Sequence, residues 1–244
     1  MKGYVDLHSH YLPAIDDGVR TTADGVKLLA ALRQAGYDTV VATPHIRTAM
    51  YDNRRPGLIA TYDAFRASPE FIAAGAAMPE TGLAAEHFYD DVYWDLFTQD
   101  QAMRYPGGFA ALVELAETTI PLGLADRVFA MARKGAHFVL AHPERYAPLF
   151  HDTDALEPLL DVGVLPLLDL MSLVGRYGRA PQEAALRMLD EGVYYAACSD
   201  AHKPTDVPLV AEAIEKLKLL VGAEEAEGLL SIGPRCILEG RVDT

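Results

Sequence analysis

Cysteine is scarce in this chain, and its scarcity excludes two kinds of chemistry. Only Cys198 and Cys236 occur among 244 residues, so no disulfide framework is implied and a reducing compartment is the natural expectation. Neither thiol opens a Cys-x5-Arg phosphate loop, because the closing position falls on Pro204 after Cys198 and on Val242 after Cys236. A cysteinyl-phosphate mechanism is therefore disfavoured. Basic residues are also in short supply, 21 against 35 acidic ones, for a formal net charge of −14. Nucleic-acid binders present a basic surface, so no nucleic-acid partner is expected. No apolar run approaches the roughly 20 residues of a membrane span, and Met1–His8 carries no signal-peptide pattern. A cytoplasmic protein without a membrane span is the expectation.

What is present describes a globular chain. Half the residues are hydrophobic and the mean hydropathy is close to zero, enough for a substantial core. Short apolar runs at Tyr4–Leu7, Thr39–Ala42, Gly82–Ala85, Phe109–Val113, His137–Ala141, Val164–Leu168 and Val193–Cys198 read as strands. Helical patterns lie between them. Thr21 or Thr22 can cap a helix running through Leu32 to a stop at Gly36. Ile120–Lys134 repeats its apolar residues at helical spacing and ends at Gly135. Val207–Leu220 is the clearest amphipathic helix, with Val210, Ile214, Leu217 and Val221 on one face. Tyr51–Pro56 and Tyr89–Pro106, polar and aromatic, are placed on loops. Seven strands alternating with helices predict parallel βα units closed or nearly closed into a barrel, with an open doubly wound sheet as the alternative. No repeat, low-complexity tract or linker divides the chain, so residues 1–244 are expected to form a single domain.

The chemistry-bearing residues fall at the C-terminal ends of these strands, where βα barrels build their active sites. The first strand runs into Asp6-Leu7-His8-Ser9-His10 and then Asp16-Asp17-Gly18. In an extended segment His8 and His10 project to one side, as two ligands of one metal require. The next strands end in Thr43-Pro44-His45, in Glu86-His87 and near Glu114. The later ones end in His142-Pro143-Glu144-Arg145 and Ser199-Asp200-Ala201-His202. An isolated HxH pair is weak evidence. A histidine or carboxylate at the end of nearly every strand is strong, and together they read as a metal centre. Other residues are given structural readings: His137 near the opposite barrel face, His151 in solvent, His87 pointing away from whatever Glu86 faces, Asp16 as a turn residue, and Cys198 as a buried strand cysteine.

Taken together, the segments DLHSHYLPAIDDG (6–18), TPH (43–45), AHPERY (141–146), SLVGRYG (172–178) and SDAH (199–202) resemble the polymerase-and-histidinol-phosphatase (PHP) superfamily. Within it they look most like the CpsB/YwqE-type bacterial tyrosine phosphatases of capsule and exopolysaccharide synthesis. The resemblance spans nearly the whole chain and implies an α/β, distorted (β/α)7 TIM-like barrel. It also implies three divalent cations. His8, His10, Glu86 and Asp200 would hold the first; Glu86 would bridge to a second completed by Glu114 and His142; Asp17, His45 and His202 would hold the third. Mixed nitrogen and oxygen donors without thiolate suit manganese or iron, with zinc as an alternative. Arg145 matches a family arginine that contacts the substrate phosphate. A second family arginine falls on Val207 here, and Lys203 could supply that charge as a point cation. Two further departures are Ile46-Arg47 after TPH, where the family often has a second histidine, and Leu167-Leu168-Asp169 in place of a QIN stretch.

The implied activity is hydrolysis of phosphotyrosine on a protein partner, a bacterial tyrosine kinase of polysaccharide export. Three other readings compete. One is a small-molecule phosphatase such as a histidinol-phosphate phosphatase. Another is an amidohydrolase, disfavoured by Asp17, Glu114 and AHPERY. The last is a non-catalytic, metal-stabilised interaction domain, disfavoured because every ligand position is kept.

Overall fold

The computed structural model describes residues 3–242. Its strands are β1 (Tyr4–Ser9), β2 (Tyr37–Ala42), β3 (His45–Ile46), β4 (Glu80–Leu83), β5 (Glu86–Phe88), β6 (Ala110–Glu114), β7 (His137–Ala141), β8 (Val164–Asp169) and β9 (Ala196–Cys198). They pair in parallel as β1-β2-β4 and β3-β5-β6-β7-β8-β9. Thr43-Pro44 separates β2 from β3, and Ala84-Ala85 separates β4 from β5, so two of the seven expected strands are each broken near the rim. Backbone hydrogen bonds carry the pairing across the breaks: Thr43 N–H to Ser9 O at 3.0 Å, Ala84 N–H to Ala42 O at 2.8 Å and Glu86 N–H to Pro44 O at 3.2 Å. Seven strand lines result. The last returns to the first through Asp200 N–H to His8 O and His10 N–H to Ala201 O, both 3.0 Å, and a parallel bridge between Ser9 and Ala201. This is the expected TIM-like α/β architecture, distorted by the two breaks.

Strand alternation positions the site. Val5, Leu7, Ala84, Leu112, Val139, Leu167, Ala196 and Cys198 belong to one buried cluster. The next residue of the same face, two positions on, is Glu86 after Ala84, Glu114 after Leu112, Asp169 after Leu167 and Asp200 after Cys198. An apolar column is thus capped by carboxylates at its C-terminal end. Phe138, Leu140, Leu168 and Val40, from the opposite face, join the larger cluster that the helices cover.

The helix Thr22–Gln34 starts where expected, with Thr21 Oγ1 accepting from Asp24 N–H, and buries Leu28, Leu29 and Leu32. Leu28→Ala, far from the rim, should cost about 2–5 kcal/mol of stability in a denaturant titration and leave turnover per folded molecule unchanged. The helix Val207–Val221 also agrees. Several boundaries differ. Tyr89–Pro106 is not all loop, because Asp90 caps a helix over Asp91–Thr98 that buries Tyr93 and Phe97 one turn apart. The Tyr51–Pro56 stretch already enters the helix Arg55–Arg66, with Pro56 in its first turn. The helix expected from Ile120 begins at Leu124, after Pro121 and a left-handed Gly123. The last strand is only Ala196–Cys198, since Val193 N–H still bonds Met188 O behind the preceding helix. No helix among the described residues is long and apolar enough to cross a membrane.

Candidate metal centre

All nine residues expected as ligands come together at this rim. Four overlapping groups each keep their donor atoms within 4.8 Å of one another: His10, Asp17, His45 and His202; His8, His10 and Asp200; His8, Glu86 and His142; His45, Glu86 and Glu114. Glu86, buried to 1% exposure, is the hub. Its carboxylate lies 3.1 Å from His8 Nε2, 3.0 Å from His45 Nδ1 and 3.0 Å from His142 Nε2. Asp200 stands 3.3 Å from His8 Nε2 and 3.4 Å from His10 Nε2. Asp17 reaches His45 Nε2 at 3.4 Å and His202 Nε2 at 3.5 Å.

The local backbone explains how short motifs reach this geometry. After His10 the chain doubles back, Val19 N–H bonding His10 O at 3.2 Å. A β-carbon on Gly18 would stand 2.3 Å from that carbonyl, so only glycine fits behind Asp17. His142 and Asp200 have left-handed φ of 33° and 45°, an uncommon conformation for residues with side chains, of the kind that clusters at functional sites. It ends each strand abruptly and turns the donor across the rim.

The donor chemistry fits cations. His8 Nε2 and His10 Nε2 face each other at 3.2 Å, and buried His45 Nδ1, Glu114 Oε1 and Asp200 Oδ1, all among the clustered donors, have no hydrogen-bond partner. Buried polar atoms are seldom left so, and nitrogen and oxygen donors converging at this spacing are what a metal requires. The electrostatics agree. Burial alone would lower the His8 pKa, but Asp200 and Glu86 raise it to about 9. His45 is likewise desolvated yet driven up to about 12 by Glu86 and Asp17, and His202 to about 10 by Asp200 and Asp17. Glu114, buried and facing Glu86, is pushed up to about 7. Surplus carboxylate charge here demands positive partners.

The residues given structural readings divide. Asp16 does turn the chain, accepting from Gly18 N–H at 2.9 Å, but its other oxygen lies 2.9 Å from His10 Nδ1. It orients that ring as outer carboxylates orient metal-bound histidines. Asp16→Ala should weaken metal binding about 10- to 100-fold, as read by metal titration, with the fold retained. His87 accepts from Met103 N–H at 3.1 Å and is lowered to about 4 by burial, which makes it a strut. His137 opens β7, half-buried, at the far end of the strand from His142; His151 is exposed.

Three features escaped the sequence reading. The Asp6 carboxylate accepts from Ser199 N–H at 2.9 Å and from Ser199 Oγ, tying β1 to the segment that carries Asp200. Tyr177 lies under the Arg145 guanidinium, 4.5 Å from ring centroid to Cζ, while Arg145 donates to Asp200 at 2.9 Å. Arg176, 3.8 Å from Asp206, lines with Arg145, Lys203, Tyr177, Asp17 and His202 a cavity of about 330 Å³ beside the donors. Val207 is buried at the start of its helix and offers no charge. Arg176 and Tyr177 lie in SLVGRYG, which carried the family resemblance without showing where its side chains lead.

A parallel βα barrel with histidines and carboxylates converging at its C-terminal rim defines the metallohydrolase class of TIM-like folds. The chain belongs to the CpsB/CapC family of capsular polysaccharide synthesis, whose model matches residues 4–239. It is 26% identical over 198 residues to the tyrosine-protein phosphatase YwqE of Bacillus subtilis, covering 81% of this chain and 77% of that one. It is 24% identical over 239 residues to the putative tyrosine-protein phosphatase CapC of Staphylococcus aureus, covering 98% and 92%. A chain from the crystal structures of YwqE from B. subtilis and CpsB from Streptococcus pneumoniae, described as metal-dependent tyrosine phosphatases, superposes with a TM-score of 0.87. That match is at 22% identity over 98% of this chain and 96% of that one.

Proposed function

We propose that this protein is a metal-dependent phosphomonoester hydrolase that removes phosphate from tyrosine on a bacterial kinase controlling capsule or exopolysaccharide synthesis. The carrying observation is a rim of four carboxylates and five imidazoles, with donor atoms within 4.8 Å in each group, opening beside a cavity lined by Arg145, Arg176 and Lys203. The tyrosine-phosphatase relatives support the substrate class. Residues 1–244 act as a single catalytic domain of PHP type, in the cytoplasm beside the kinase.

On the family resemblance three divalent cations would be held, with His8, His10, Glu86 and Asp200 around one, Glu86, Glu114 and His142 around another, and Asp17, His45 and His202 around the last; by proximity His142 groups with His8 and Glu86, and Glu114 with Glu86 and His45. Manganese suits the mixed nitrogen and oxygen set best, with iron and zinc as alternatives. Cations held there would offset the charge of the phosphate dianion and lower the pKa of a water from about 15.7 toward about 7.

The chain's own residues do the rest. Arg145, clamped by Tyr177 and Asp200, presents a permanently charged guanidinium to the non-bridging phosphate oxygens. Arg176 and Lys203, lining the same cavity, draw the ester in. Water oxygen bonds to phosphorus, its proton passing to solvent, as the aryl P–O bond breaks and the electron pair leaves on a phenolate. Its conjugate acid has a pKa near 10, so departure needs little protonation. Metal-loaded protein should hydrolyse a phosphotyrosine peptide with a kcat/KM at least about tenfold above that for histidinol phosphate. Preference for histidinol phosphate would move the assignment to a small-molecule phosphatase.

A further inference from the structure

A second cavity lies beside Tyr51, whose ring stacks on His45. It encloses about 520 Å³ and is lined by Ile46, Tyr51, Arg54, Arg55, Val92 and Leu96 among others. The Tyr51 ring stacks nearly parallel on His45, with centroids 5.1 Å apart at 11°, so one side chain forms both the groove wall and the edge of the metal centre. That wall is fixed: Arg47 and Tyr51 exchange backbone hydrogen bonds of 3.1 and 2.8 Å, and Asn53 Nδ2 donates to His45 O at 2.8 Å and Ile15 O at 2.9 Å. Val92, apolar and 44% exposed, faces the groove from the helix Asp91–Thr98.

Charge identifies the occupant. In a chain of net charge −14, Arg54 and Arg55 stand exposed at the groove and neither makes an ion pair with described residues. Asp52, on the same lip, accepts from Ala49 N–H at 3.0 Å. An apolar trough with unpaired guanidinium groups at its mouth, separated from the metal centre by the stacked His45 and Tyr51 rings, fits the substrate chain itself. Resting on the phosphatase reading above, we infer that this groove binds the substrate segment adjoining the phosphotyrosine and selects an apolar side chain accompanied by an acidic one.

The test uses full-length, metal-loaded protein and an Arg54→Glu/Arg55→Glu variant. Both positions are exposed at a helix N-terminus, where carboxylates are favourable, so the fold is retained. Substrates are p-nitrophenyl phosphate, a phosphotyrosine peptide with apolar and acidic flanks, and the same peptide with lysines in place of the acids. The wild type should prefer the acidic peptide by about tenfold in kcat/KM, and less at high ionic strength. The variant should lose that preference, with p-nitrophenyl phosphate turnover within about twofold of wild type. A parallel Val92→Asp variant should raise KM for both peptides alone.

Equal use of the two peptides by the wild type, with the aryl phosphate turned over, overturns the groove and leaves the phosphatase standing. The same holds if the double variant loses activity equally on all three substrates. A change of oligomeric state in the double variant would assign the groove to a second copy of the chain. No turnover of any substrate removes both readings.

Discussion

Glu86→Gln is expected to remove bound metal and turnover together. The substitution keeps shape and volume but replaces the one carboxylate that lies within 3.1 Å of His8, His45 and His142. Burial alone would raise the Glu86 pKa, yet His8, His45 and His142 hold it well below the ordinary carboxylate range, so it is charged at any working pH. A neutral amide has one good donor oxygen and no charge to bind cations. The loss should exceed the roughly 100-fold upper end seen when only an outer partner of a ligand is removed. The measurements are metal content by mass spectrometry and kcat/KM on p-nitrophenyl phosphate, beside a thermal melt showing a folded protein. Full activity in a metal-poor, folded Glu86→Gln protein would exclude the rim as the reaction centre.

Arg145→Ala should separate phosphate binding from metal binding. The guanidinium is held between Asp200 at 2.9 Å, Asp169 at 3.8 Å and the Tyr177 ring. Desolvation opposes its charge, but Asp200 and Asp169 more than compensate and keep it protonated. Removing one pre-positioned cation that faces developing phosphate charge costs about 10²–10³ in kcat. At saturating manganese the metal content should stay near wild type, because Arg145 supplies no ligand and touches the centre only through its hydrogen bond to Asp200. Arg145→Lys should recover little, since an ammonium cannot fork between two oxygens or stack flat on Tyr177. A metal-replete Arg145→Ala enzyme with unchanged kcat/KM would remove the residue from the mechanism.

Protons compete with cations for the same imidazoles. His8 at about 9 and His45 at about 12 must release protons before their nitrogens can bind metal, so metal affinity should rise with pH. Isothermal titration with manganese in buffers of different ionisation enthalpy should show proton release. Affinity independent of pH between about 6 and 8 would contradict that.

The strand-end donors were legible because a period of two is short-range information. His8 and His10, or Leu112 and Glu114, declare a shared face within three residues. The strand His137–Ala141 was bounded correctly for the same reason. The outer partners were not legible. Asp6 and Ser199 meet across 193 residues, and nothing local announces it. Asp16 carried a turn signal that concealed its second role on His10. The helix Asp91–Thr98 was hidden because its buried face is aromatic, Tyr93 and Phe97, and aromatic residues among acids resemble an irregular loop. Arg176 could not be placed because loop direction depends on what the loop packs against, here Asp206 in a later segment.

The most direct test is turnover of p-nitrophenyl phosphate by chelator-stripped protein as manganese is added back. Activity should be absent at the start, return with manganese as the rim fills, and vanish again with chelator, while the fold persists throughout. Undiminished hydrolysis by demonstrably metal-free protein would contradict a metal centre at Glu86 and Asp200.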